Sequence, residues 1–307
     1  LLRAPLCAYL AWKGVVPFRR RRVADDFIKD ALHYRGANWK QKLWAYRRGF
    51  PSDRIARYGL TESNYRDYCS DVAFYRREMY KNMRLSYWYD DKLTTLFLLR
   101  PFEKWLPVHY YSIEDGKVRQ LYRNGNGAVN NSVDGICEAL RANGELAFKA
   151  SKGGHGRGFF KMSCRGSQYW DGDTIRSETE VRQRLSGLNG YIITEFCHPH
   201  HDLRRVCADA PCVLRVVTIC DDVDGAQLTA SCLRIGTKVS GHITDYDGTI
   251  FCGVTLDEGE WFRPLMATAD NTVLVNCDAH PDTGARIAGS VPHWKLIAAE
   301  VIKISNY

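Results

Sequence analysis

Residues 145–164, ELAFKASKGGHGRGFFKMSC, constrain the fold more than any other stretch of the chain. Two apolar, strand-like runs flank a loop with glycines at 153, 154, 156 and 158, set among Lys149, Lys152, Arg157 and Lys161. A loop that only turns a hairpin needs one or two glycines. The order strand, glycine loop, strand excludes a dinucleotide-binding or P-loop unit, since both need a helix straight after the loop. What remains is a hairpin whose backbone N–H groups approach an anion closely, because glycine has no Cβ. The lysines supply point charges to the same anion. A surface hairpin with no ligand is equally compatible with this stretch alone.

Two later segments bear on the choice. LRVVTI places Arg215 inside an apolar strand, and SCLRIG places Arg234 in the returning strand of the same hairpin. A charge inside an apolar strand needs a partner or a ligand, and two arginines on paired strands are able to converge on one anion. Leu214, Arg215 and Val216 also alternate, as on a strand with one solvated face.

The bulk properties set limits. The 307 residues suffice for about two domains, and 45% hydrophobic with 25% charged residues is ordinary globular composition. A formal charge of +8 suits an anionic substrate, a membrane surface or nucleic acid without selecting among them. The basic residues form no stripe with ordered aromatics, so no nucleic-acid partner is expected. None of the eleven cysteines forms a C-x-x-C pair. Cys164, Cys212, Cys220, Cys232 and Cys252 lie in strand-like runs and read as buried free thiols of a reducing, cytoplasmic compartment. No apolar run approaches the ~20 residues of a membrane span, and the first residues lack a signal-peptide cleavage pattern. The chain does not begin with Met, and an incomplete N-terminus is expected.

Residues 19 to about 104 read as helical. ESNYRDYCSDVAFYRREMYKNM spaces Tyr65, Tyr68, Val72 and Tyr75 by threes and fours, as on one helix face. Tyr87, Trp88 and Tyr89 are expected in a core, ahead of a helix capped at Asp90 or Asp91. From about residue 107 strands and turns take over. HYYSIEDGKVRQLY is a hairpin turning at Asp115-Gly116. A helix capped at Ser132 stops at Gly144, and Ser177…Glu180 opens another with a capping box. YIITEFC is a buried strand, 211–236 a long hairpin with a type I′ turn at Asp224-Gly225, and GTIFCGVTL and NTVLVNC are further strands. The tail HWKLIAAEVIKI is an amphipathic helix. Strand pairs with intervening helices indicate α+β. HPHHD at 198–202 invites a metal, but consecutive histidines rarely reach one ion without another segment, and a loop is the better reading; if the preceding strand is a nucleotide hinge, as the resemblance below implies, Asp202 is the residue to reach a ribose. RRRR at 19–22 suits an anionic lipid or polysaccharide or a solvated helix start.

The ordered set DDK (90–92), FKASKGGHGRG, YIITEF, LRVVTI, LRIG and HPDTGARIAGSVPHW (280–294) resembles the ATP-grasp superfamily, most closely its sugar-transfer-associated branch. The resemblance spans roughly 85–301. It implies a helical region over 1–84, then two α+β subdomains that clamp ATP: a lid over about 107–195 and a C-terminal part over about 196–307. By that resemblance Lys92 and Lys149 reach nucleotide phosphates and Gly153, Gly154, Gly156 and Gly158 form the lid hairpin. Glu195 lies at the hinge that meets adenine, and Arg215 and Arg234 hold phosphate or an acyl-phosphate transition state. It also implies ATP and Mg2+ as cofactors. The carboxylates that bind magnesium in the family come from a W-D element and then an E-x-N element past the HP-x-TG stretch, and neither follows 280–294 here, so the metal ligands are unknown and a truncated chain is expected.

The implied reaction is ATP-dependent ligation of a carboxylate to an amine through an acyl-phosphate, associated with cell-surface polysaccharide pathways. The partners would be small-molecule or glycan-linked carboxylates and amines, with peripheral membrane association. The alternatives are a small-molecule kinase on the same clamp and a non-catalytic glycan- or membrane-binding protein.

Overall fold

The computed structural model describes residues 3–78, 85–122, 129–154, 156–207, 211–241, 244, 248–267 and 274–307. The chain divides into two compact units, Leu1–Tyr87 with Met266–Val275, and Trp88–Leu265 with Asn276–Tyr307. No helix among the described residues is long and apolar enough to cross a membrane.

The first unit opens with helices α1 (Arg3–Trp12), α2 (Pro17–His33), α3 (Trp39–Arg47), α4 (Asp53–Tyr58) and a short α5 (Asp71–Ala73). Pro17 starts α2, where its missing N–H costs nothing. Asn38 and Gln41 form a reciprocal cap on α3. Leu10, Val15, Val23, Ala24 and Phe27 make one small core, and Ala45, Phe50 and Leu60 another. Of the four consecutive arginines, Arg20 donates to the Val15 carbonyl (2.8 Å) and Arg19 lies over the Phe18 ring.

The single helix expected over 62–83 does not form among its described residues. A 3-10 turn at Tyr65–Asp67 stops, Ser70 caps a new start, and α5 runs into a π-helical turn at Phe74–Glu78. The spacing serves separate partners instead. Tyr65 packs edge-on against Trp44, Tyr68 stacks on Tyr58, and Val72 and Tyr75 join the α1–α2 core. Residues 79–84 lie outside the described set.

Helix α6 (Ser86–Asp90) runs across the unit boundary in sequence, and α7 (Lys92–Leu98) belongs to the second unit. Asp91, not Asp90, is the cap, accepting from Leu93 N–H (3.1 Å). Tyr87, Trp88 and Tyr89 are exposed rather than in a core; five residues of helix offer too little face to bury three aromatics. A seven-stranded antiparallel sheet follows, in the order β2-β1-β7-β3-β4-β5-β6. Its strands are β1 (His109–Glu114), β2 (Lys117–Gln120), β3 (Glu145–Ala150), β4 (Phe160–Arg165), β5 (Gln168–Asp171), β6 (Thr174–Arg176) and β7 (Tyr191–Glu195). Helices α8 (Val133–Asn143) and α9 (Glu178–Ser186) carry the expected caps at Ser132, Gly144 and Ser177/Glu180. Ile136, Cys137, Leu140, Val181 and Leu185 pack against Tyr111, Ile113, Leu146, Phe148, Met162 and Ile193. That apolar layer covers one face of the sheet and leaves the other to polar residues.

After α10 (His201–Cys207) comes a second sheet, β12-β11-β10-β9-β8, of β8 (Cys212–Asp221), β9 (Gly225–Ile235), β10 (Ile250–Val254), β11 (Trp261–Ala267) and β12 (Leu274–Asn276). The chain ends in α11 (Trp294–Asn306). The β8–β9 turn is not the two-residue type expected. Asp221 pairs with Gly225 across a three-residue loop, and Asp221 Oδ1 accepts from Val223 N–H (2.9 Å) and Asp224 N–H (2.7 Å). That side-chain turn hands over to Gly225 at φ 70°. All eleven cysteines are free; Cys164 and Cys252 are buried, whereas Cys212 and Cys232 are partly buried and Cys220 is exposed.

Candidate active site

Strand register decides which side chains share the polar face of the seven-stranded sheet. Leu146 and Phe148 point into the core, so Glu145, Ala147 and Lys149 leave the opposite face. Across the ladder Ala147 pairs with Lys161 and Thr194, and Lys149 pairs with Ile192. Ile192 in turn pairs with Ser112, and Ser112 with Arg119. Lys149 therefore shares one face with Ile192, Ser112 and Arg119, and the middle of that face, at Ala147, Ile192 and Thr194, is buried.

Lys149 is half-buried, and its ammonium has no hydrogen-bond or ion-pair partner among the described residues. Burial pushes its pKa below the usual lysine value of 10.5; nearby Cys197 opposes that shift, and Lys92 adds repulsion to it. Lys92 is held where it is by three contacts. Its N–H donates to Ser151 O (2.8 Å), its Nζ donates to Gly153 O (2.9 Å), and Asp91 bridges to Lys152. Helix α7 is thus strapped to the root of the glycine loop. Burial depresses the Lys92 pKa as well, against the pull of Asp91 and Asp90.

The loop itself fits a close-approaching ligand. Gly153 has φ 98°, a conformation L side chains rarely adopt, and nothing lies within 4 Å of where its Cβ would be. Gly154 is equally open. Gly156 (φ 66°) and Gly158 (φ 74°) also need glycine, and a Cβ on Gly158 would meet the Tyr191 hydroxyl at 2.8 Å. At the other end of β7, Glu195 N–H is committed to Val108 O (2.9 Å), and Glu195 O accepts from Thr194 Oγ1 (2.9 Å).

Two features escaped sequence reading. His109 pairs with Thr194, and its pKa is lowered by burial, opposed by its hydrogen bond to Pro107 O, with Lys149 nearby. Glu145 accepts from Lys161 Nζ (3.2 Å) and contacts His198, and Lys161 lies over the Phe196 ring. Burial works to raise the Glu145 pKa, but these two partners hold it below the usual range. Alternation of 145, 147 and 149 in ELAFKA was the one available signal; the partners are 16 and 53 residues away.

Arg215 and Arg234 lie on the other sheet. Arg215 pairs with Cys232, and Val213 with Arg234. Directly opposed residues share a face, so both arginines leave the same face of the hairpin, on either side of Cys232. Burial raises the Cys232 pKa, and both guanidinium groups pull it back down. Arg234 donates to Thr244 O (2.9 Å) and sits over the Phe251 ring. Arg215 is exposed and has no side-chain partner among the described residues. Asp257 is engaged with the Glu258 N–H (2.8 Å) rather than with either arginine. Among the described residues no hydrogen bond or ion pair joins this pair to Lys92 and Lys149.

Asp202 makes no hydrogen bond or ion pair with either group among the described residues. Its carboxylate sits between His200 and His201, at 3.6 and 3.0 Å. These three donors lie within 4.8 Å of one another, so the adjacent histidines do converge. The His293 ring is 5.4 Å from His200.

The family model for sugar-transfer associated ATP-grasp proteins matches residues 77–306. The chain belongs to this family. No curated protein and no solved structure matches it. Membership accounts for the α+β architecture and points to ATP-dependent, ligase-like chemistry. ATP-grasp proteins generally bind ATP with Mg2+. The residues described here fit the nucleotide phosphates: two depressed-pKa lysines beside glycines with open space. They do not supply a magnesium set. The one described cluster, two imidazoles and a carboxylate, suits softer ions than Mg2+, which prefers oxygen ligands.

Proposed function

We propose that the chain is an ATP-dependent carboxylate–amine ligase that works through an acyl-phosphate. The observation that carries this reading is Lys149, a half-buried ammonium with no hydrogen-bond or ion-pair partner among the described residues, beside Lys92 and the open glycines. A desolvated cation that makes no ion pair, with the more distant Glu195 as the only carboxylate pulling on it, is a poor stability device and a good phosphate site. Lys149 and Lys92 take the α- and β-phosphates, and the loop N–H groups close over them. The backbone at 195–197 faces the adenine edge, and Asp202 is the candidate for a ribose hydroxyl.

The substrate carboxylate oxygen bonds to the γ-phosphorus as the β,γ-bridging P–O bond breaks and ADP leaves. The amine nitrogen then bonds to the acyl carbon, the C–O bond to phosphate breaks, and the nitrogen gives up a proton. Arg215 and Arg234 stabilise the charge that builds on the transferring group. No step is assigned to a metal. A role in cell-surface polysaccharide synthesis belongs to this proposal, with glycan-linked carboxylates and amines as substrates. Eleven free cysteines support a reducing, cytoplasmic setting.

Lys149→Ala should weaken ATP binding about tenfold or more, because one charge-assisted contact contributes ~1.5–3 kcal/mol. The melting temperature of the free protein should hold or rise slightly. The sign of the pH dependence follows from burial. ATP binds the charged ammonium, so the advantage of the parent over Lys149→Ala is full at pH 7. It shrinks as pH rises through the depressed pKa, starting below 10.5. Calorimetric titrations at pH 7 and 9.5 check both. Equal affinities at pH 7 would return Lys149 to the role of a solvated surface charge. Product analysis separates ligase from kinase: inorganic phosphate with an amide, or a phosphorylated product.

A further inference from the structure

A groove of about 460 Å³ runs along β1 and β2, lined by Leu93, Ser112, Glu114, Lys117, Arg119 and Asn131, together with Asp115 and Val118. Register places it on the face that carries Lys149. Lys149, Ile192, Ser112 and Arg119 are successive cross-strand neighbours. At about 4.8 Å per strand, Ser112 is about 10 Å from Lys149. Leu93 is the residue after Lys92, whose Nζ holds Gly153 O. The groove and Lys149 thus share one face of the sheet, with the buried Ile192 between them.

Its lining is built to receive something. Ser112 is only 6% exposed, and its hydroxyl has no hydrogen-bond partner among the described residues. Its side chain lines the groove. Lys117 and Arg119 leave the same face of β2, two residues apart. Neither has an ion-pair partner among the described residues, although Glu114 is directly opposite Lys117. Asn131 Oδ1 is taken by Gln120 N–H (2.8 Å), which leaves its amide nitrogen to donate. The volume lies in the range of small-molecule sites.

We infer that this groove seats the carboxylate substrate, and that the substrate is a hydroxylated acid of sugar-acid size. Arg119 and Lys117 match a carboxylate. The Ser112 hydroxyl, the Asn131 amide and the carboxylates of Glu114 and Asp115 match a ring of hydroxyl groups. By residue type only Leu93 and Val118 are apolar. The inference rests on the ligase reading for its chemistry, since the groove adds no step. It supplies the carboxylate that is phosphorylated.

The test is a pair of titrations on the whole chain, one with ATP and one with the probes glucuronate and galacturonate, with neutral glucose as control. At least one uronate should bind saturably, at least tenfold more tightly than glucose. Arg119→Gln and Lys117→Gln should each weaken it at least fivefold, and Ser112→Ala should weaken it measurably. All three variants should keep ATP affinity within twofold. Lys149→Ala should do the reverse. ATP binding with no uronate binding overturns the groove assignment and leaves the nucleotide site standing. Uronate binding unchanged in both cation variants also overturns it. Uronate binding without ATP binding keeps the groove and overturns the ligase reading.

Discussion

Arg215→Met and Arg234→Met are each expected to cut turnover, followed as ADP release with substrate present, by about 10²–10³-fold. The two guanidinium groups leave one face of the β8–β9 hairpin on either side of Cys232. Two like charges on one face repel each other without a ligand, which is a small cost to the free protein. Against a transferring phosphoryl group both become favourable, and most so when its charge is largest. Stability should separate the two. Arg215 has no partner to lose among the described residues, so its replacement should leave a denaturant melt unchanged or slightly improved. Arg234 gives up its bond to Thr244 O and its contact with Phe251, and about 1 kcal/mol is expected. Melts that lose several kcal/mol in both variants, with turnover per folded molecule unchanged, would make the arginines structural.

Asp30→Ala should be the most damaging single change in the first unit, at about 3–5 kcal/mol. Asp30 is 7% exposed, and its carboxylate gathers four donors. Oδ2 accepts from Tyr46 OH (2.7 Å), Ser52 N–H (2.9 Å) and Ser52 Oγ (2.7 Å); Oδ1 accepts from Asp53 N–H (3.1 Å). Burial raises the Tyr46 pKa and the bond to Asp30 raises it further, so the phenol stays a donor. Truncation orphans all four groups at once and unties the end of α2 from the start of α4. Asp30→Asn keeps the shape and should lose less. A urea melt reads the difference; an alanine variant within 1 kcal/mol of the parent would show that the network contributes little.

The parts of the fold legible in the sequence are those fixed by neighbours along the chain. Asp115-Gly116, Ser132 with Gly144, and the Ser177/Glu180 box each set a local geometry that no distant contact had to supply. The hairpin of 168–176 carried the same kind of signal at Asp171-Gly172 and went unread, as did β11. Periodicity misled at 62–83, because threes and fours also arise when successive aromatics serve different neighbours. The candidate site was half legible. Lys149, Lys92 and the glycines stand out by type and order. Ser112, Arg119, His109 and the Glu145–Lys161–His198 group do not, because only strand register brings them to one face. Asp30 was invisible for the same reason: its donors are 16 to 23 residues away.

Calorimetric titration of the folded chain with a non-hydrolysable ATP analogue tests the central claim most directly. The account predicts saturable binding at one site per chain, weakened tenfold or more in Lys149→Ala. A folded sample that binds no nucleotide at millimolar concentration, or binds it equally well without Lys149, would contradict it.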